Sequence, residues 1–99
     1  MTPLILEQAN HDIVLSILRR YIPNMTVWAF GSRAGGKTQK YSDLDLAVVG
    51  SEPIPHDIYD HLTEAFDDSE LPIRVDLLDW NHVDDSFKPY ILENHVVLT

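Results

Sequence analysis

The chain has 99 residues, 44% of them hydrophobic, no cysteine and a formal charge of −9. That length predicts one domain over residues 1–99, and the apolar content is that of a folded chain rather than a disordered one. The composition excludes a disulfide framework, a thiolate metal site and a membrane-spanning run, and its acidity argues against direct tight binding to nucleic acid, which needs clustered Lys and Arg.

Leu6, Ala9, Ile13, Ile17 and Tyr21 recur at spacings of three and four, with Val14 and Leu18 beside them; this predicts an amphipathic helix ending before Pro23. Met25 to Phe30 reads as a short buried strand, Gly31 to Ser42 as a loop, and Leu44 to Val49 as a second strand stopped by Gly50. Pro53 and Pro55 precede a second helix with Ile58, Leu62, Ala65 and Phe66 on one face, broken at Leu71-Pro72. Ile73 to Leu78 predicts a third strand and residues 85–93 a last helix, with Asn94 as a left-handed cap and His95 to Leu98 as a short extended end. This order suits an α+β fold, a small mixed sheet with helices packed on it. The start, Met1-Thr2-Pro3, lacks the basic residues of a signal peptide, and the expected location is cytoplasmic.

Charge is unevenly spread. Residues 52–85 carry eleven acids and one base, Arg74, while residues 1–51 carry four acids and five bases, among them Arg33, Lys37 and Lys40. The acidic half reads as a solvated, solubilising surface or as a docking face for a basic partner.

The chemistry concentrates in three places. In a strand, residues i and i+2 share a face, so Asp43 and Asp45 project together while Leu44 and Leu46 turn to the core. Two carboxylates that close repel unless a cation lies between them, and Mg²⁺ favours one or two carboxylates plus substrate phosphates. The Gly31-Ser32 turn allows close approach of backbone N–H groups to a phosphate, with the Ser32 hydroxyl as a further donor and Arg33 and Lys37 as positive charge. Asp76 sits inside an apolar strand, where burying it without a partner is costly; if that strand lies beside the second, Asp76 joins Asp43 and Asp45, completing a metal site or acting as general base. Asp79 falls on the opposite face by parity and reads as a turn or cap residue.

Gly31-Ser32-Arg33-Ala34-Gly35-Gly36, followed by Ser42-Asp43-Leu44-Asp45-Leu46 and by Asp76, resembles the minimal nucleotidyltransferase family of the DNA polymerase β-like superfamily. The pattern is G-S-x-A-x-G-x-x-x-x-x-S-D-x-D-L, and many relatives carry a second arginine where this chain has Gly35. The resemblance implies a nucleotidyltransferase fold, with Asp43, Asp45 and Asp76 as catalytic and metal-holding residues. It implies a nucleotide site at Gly31, Ser32, Arg33, Lys37 and Ser42, with ATP as substrate and two Mg²⁺ ions. It further implies a partner, a HEPN-domain RNase toxin, onto whose tyrosine AMP is transferred, and hence an antitoxin role in a hetero-oligomer. Two other readings compete: a non-catalytic antitoxin that neutralises its partner by covering it, and a small-molecule nucleotidyltransferase.

The remaining residues carry less. His11, His56, His61, His82 and His95 show no metal-ligand spacing and read as surface histidines. Trp28 reads as core, Trp80 as core or as the rim of a site, Tyr21, Tyr59 and Tyr90 as helix-face residues, and Tyr41 as a residue that stacks on a base or packs against the loop. No Ser-His-Asp or Cys-His nucleophile arrangement is present.

Overall fold

The computed structural model describes residues 6–31, 33 and 43–99. In chain order the elements are α1 (Gln8–Tyr21), β1 (Thr26–Phe30), β2 (Leu44–Val49), α2 (His56–Asp67), β3 (Val75–Asp79), a 3₁₀ turn (Trp80–His82), α3 (Lys88–Glu93) and β4 (His95–Val97). The strands form one mixed sheet in the order β3-β2-β1-β4. β1 runs antiparallel to both β2 and β4, and β2 runs parallel to β3.

The alternation along β2 divides the molecule into two cores. Leu44, Leu46 and Val48 are fully buried on one face, with Val27 and Ala29 of β1, Leu77 of β3, Val14 and Leu18 of α1 and Leu62 and Phe66 of α2. Burying a Leu or Val side chain this completely contributes roughly 1.5–3 kcal/mol. On the other face Ala47, Phe30 and Ile91 of α3 make a smaller core, edged by Trp28, Leu78 and Trp80. Among the described residues, one face of the sheet therefore carries two long helices, and the other a six-residue helix and the 3₁₀ turn. No helix among the described residues is long and apolar enough to cross a membrane.

β2 spans the residues its apolar run predicts. β3 starts at Val75 rather than Ile73 and reaches Asp79. The last helix is shorter than residues 85–93, because the Asp84 carboxylate accepts from both the N–H and the hydroxyl of Ser86 and holds a turn ahead of Lys88. Asn94 is not a left-handed cap: its φ is −132°, its N–H donates to Ile91 O and its amide Nδ2 to Tyr90 O, so the helix end is satisfied without positive φ. His95 to Val97 is a true strand, and beyond it Leu98 N–H donates to Val27 O. His95 is half-buried rather than a surface residue, with its ring stacked on Trp28 at 4.2 Å. Its Nδ1 lies 2.9 Å from Leu92 O and 3.1 Å from Ile91 O, so that nitrogen carries the proton. On α1 the fully buried row is Val14 and Leu18, while Ala9 is exposed.

Asp79 takes the turn role its parity predicts. Its carboxylate accepts from Ile54 N–H at 2.8 Å and Asn81 N–H at 2.9 Å, tying the β2–α2 connection to the end of β3. Burial pushes this carboxyl up, but the hydrogen bonds from Ile54 and Asn81, with His82 nearby, outweigh burial and hold it below the usual carboxylate range. A depressed native pKa stabilises the fold above the ordinary carboxylate pKa, and that contribution fades as pH falls through the lowered value. Asp79→Ala leaves the Ile54 N–H without its acceptor and is expected to cost about 1–3 kcal/mol, read as a drop in Tm. In that variant the acid limb of the Tm–pH curve should flatten.

Candidate active site

The antiparallel register of β1 on β2 sets Phe30 opposite Asp45, and the parallel register of β2 on β3 sets Asp45 beside Asp76. Adjacent strands lie about 4.8 Å apart, so the two side chains leave the same face side by side. That face is the one α3 covers only in part. Asp43, two residues before Asp45, is exposed on the same face.

Gly31 closes the turn after β1 with φ of +80°, a conformation that favours glycine. A Cβ built there would stand 2.5 Å from Asp45 Oδ2. The positive φ favours glycine here on its own, and the bare α-carbon also leaves the space in which the end of the Asp45 side chain lies, so a methyl group would push that carboxylate aside.

The electrostatics are unfavourable in isolation. Burial, then Asp76, then Asp43 push the Asp45 carboxyl above its ordinary value. Part of the charge is met by Arg74, whose Nε lies 3.1 Å from Asp76 Oδ1. This pair is exposed, the arginine side chain by 75%, so it contributes little to stability. Arg74 stands two residues before Asp76 and thus on the same face, a parity the sequence already contained although no role followed from it. Among the described residues no three His, Asp or Glu side chains converge as a preformed metal cage. An uncompensated, half-buried carboxylate next to a second one nonetheless fits a divalent cation, and Mg²⁺ needs only one or two carboxylates when substrate phosphates supply other ligands.

Of the sequence-derived nucleotide residues, Gly31 lies against Asp45, and Arg33 is 5% exposed and so packed into the protein. Ser32, Lys37 and Ser42, with Gly35 and Tyr41, lie outside the described residues.

Asp45 and Asp76 open onto a cavity of about 760 Å³. That is within the range of small-molecule sites. Its walls include Phe87 and Tyr90, 40% and 45% exposed, whose rings lie 5.2 Å apart. Tyr90 thus does more than line a helix face. Tyr59 reaches over from α2 and donates its hydroxyl to Leu77 O at 3.0 Å. Trp80 is half-buried against the smaller core, with Lys88 Nζ 5.2 Å from its ring centroid.

Comparison with known proteins gives the family and the fold. The family model described as polymerase beta, nucleotidyltransferase matches residues 12–99. The chain is 51% identical over 86 residues to a Haemophilus influenzae protein named probable protein adenylyltransferase MntA, covering 87% of this chain and 75% of that protein. It is similar in fold, with a TM-score of 0.75 and 24% identity, to a chain of a toxin–antitoxin crystal structure with AMP-PNP, over 91% of this chain and 73% of that one. A complex of tri-AMPylated Shewanella oneidensis HEPN toxin with MNT antitoxin contains a chain similar at TM-score 0.63 and 22% identity, over 95% and 72%.

Proposed function

Because the chain belongs to the polymerase beta nucleotidyltransferase family, we propose that it is an Mg²⁺-dependent protein adenylyltransferase acting on a HEPN-type toxin. The observation that carries this reading is the pairing of Asp45 with Asp76 on adjacent parallel strands, facing an open cavity, with Gly31 making room for Asp45. A tyrosine hydroxyl of the partner attacks the α-phosphorus of ATP, a new O–P bond forms, the bond to the bridging oxygen breaks and pyrophosphate leaves. Bound Mg²⁺ would supply charge neutralisation on the phosphates, held by the neighbouring Asp45 and Asp76, with Asp43 assigned to it by resemblance.

The residues of the chain supply position and charge. Asp76 lines the cavity, where it orients the incoming hydroxyl and receives its proton. Ser32, Arg33, Lys37 and Ser42 are assigned to the phosphates by resemblance, with the Gly31 backbone. Phe87 and Tyr90 give the acceptor's aromatic ring an apolar wall. An ATP-dependent reaction on a partner places the chain in the cytoplasm, in a hetero-oligomer. Support for the antitoxin role is that the 51% identical relative shares the name MntA with a component of a solved MntA–HepT toxin–antitoxin complex.

The test is label transfer from α-labelled ATP to a HEPN-domain protein, the acceptor this reading names, with Mg²⁺ present. Transfer is expected from the native chain and not from the Asp43→Asn, Asp45→Asn double variant. Transfer that persists in the double variant would remove the mechanism. Full inhibition of the partner by a transfer-dead variant would instead favour neutralisation by binding alone.

A further inference from the structure

β3 is an edge strand, paired among the described residues only with β2. Leu44 N–H donates to Arg74 O, which fixes the hydrogen-bond phase of the parallel pair. In a parallel strand the N–H and C=O of one residue point to the same side, and successive residues alternate. Arg74, Asp76 and Leu78 therefore address β2, while Val75 and Leu77 direct their main-chain groups outward. The Tyr59 hydroxyl on Leu77 O marks that outward side. It also satisfies one carbonyl and ends the free run, leaving the N–H and C=O of Val75 and the N–H of Leu77.

This free stretch forms the floor of the same cavity that Asp45 and Asp76 face. One wall is Thr63 and Asp67 of α2; the other is Phe87 and Tyr90. A row of main-chain donors and acceptors two residues apart is matched by another extended main chain. Resting on the functional reading above, we propose that the β3 edge docks an extended, net basic segment of the acceptor protein by strand addition. Its side chains would then alternate. One set stands on the Asp76 face, between the carboxylates and the Phe87–Tyr90 wall, and this set carries the acceptor tyrosine. The other set meets Thr63 and Asp67. Basic character follows from the eleven acids and one base of residues 52–85, the segment that supplies both α2 and β3. Tyr59 limits the register, keeping the added strand at the end of β3 next to Asp76.

The direct measurement is amide hydrogen exchange by NMR on the chain alone and with excess HEPN-domain partner, in the absence of ATP. The Val75 and Leu77 amides are expected to slow at least about tenfold on complex formation. Unchanged exchange at both would overturn the proposal, as would protection that appears in the chain alone with rising concentration, which assigns the edge to a second copy. Val75→Pro removes an outward N–H without touching the ladder to β2. It is expected to raise KM for the protein acceptor at least about tenfold while the ATP-induced Tm shift persists. If that variant does not fold, Thr63→Trp, which fills the groove from an exposed helix position, should have the same effect; unchanged KM in the folded variant overturns strand addition. Absence of AMP transfer by the native chain would sink the functional reading and leave the exchange result to decide the docking.

Discussion

Asp45→Asn is expected to lower AMP transfer by about a thousandfold and, at the same time, to raise rather than lower the Tm of the nucleotide-free chain. The first effect follows from removing a charged metal-holding group beside Asp76. The second follows from the native electrostatics: burial, Asp76 and Asp43 all disfavour the Asp45 anion. A carboxyl whose native pKa is raised costs stability above that pKa. The cost disappears as pH falls from the raised value to the ordinary carboxylate pKa of the unfolded chain. Native chain without metal should therefore gain stability on mild acidification through that window, and Asp45→Asn should not. Thermal melts across that range, with and without Mg²⁺-ATP, read both effects. Transfer above a tenth of the native rate, or a Tm lower than native, would contradict this account of the site. Saturating Mg²⁺-ATP should raise the native Tm, since a ligand at a hundredfold excess over its Kd contributes about 2.7 kcal/mol, and should raise that of Asp45→Asn much less.

The second large effect is expected at Gly31. Gly31→Ala places a methyl group 2.5 Å from Asp45 Oδ2 and forces a side chain into φ of +80°. The backbone strain alone costs about 1–3 kcal/mol. Displacing the carboxylate by even an ångström is expected to reduce transfer about a hundredfold, because the reacting groups lose alignment. The two contributions separate in an Asp45→Ala background, where the methyl has no carboxylate to strike. There Gly31→Ala should cost only the φ part, and a non-zero coupling energy between the two sites measures the contact. Additive effects on Tm would mean that the glycine serves the turn and not Asp45.

This glycine has a neighbour that its motif does not name. The sequence places Gly31 at a phosphate turn because glycine admits close approach of a ligand. The structure adds an approach by the chain's own Asp45 from the next strand. The pairing of Phe30 with Asp45 that brings it there is an inter-strand register, and nothing within the Gly31-Ser32-Arg33 segment encodes it. Arg74 is similar. Its place two residues before Asp76 is plain in the sequence, but its ion pair depends on how both side chains turn once β3 lies beside β2.

What the sequence by itself determined is the local order and the division of faces. The alternation Asp43-Leu44-Asp45-Leu46 sends carboxylates to one side and leucines to the core, because a strand has a period of two, and β2 spans Leu44–Val49 as its apolar run requires. Only the tertiary structure decided which strands are neighbours. It set Asp76 next to Asp45, made a fourth strand of His95–Val97 against β1, and left β3 at the edge with two residues facing outward. It also chose Val14 and Leu18 as the fully buried row of α1, through the packing of that helix with α2 on the sheet. Periodicity is written in a few consecutive residues, whereas strand neighbours are settled by burial summed over segments tens of residues apart, which no single segment carries.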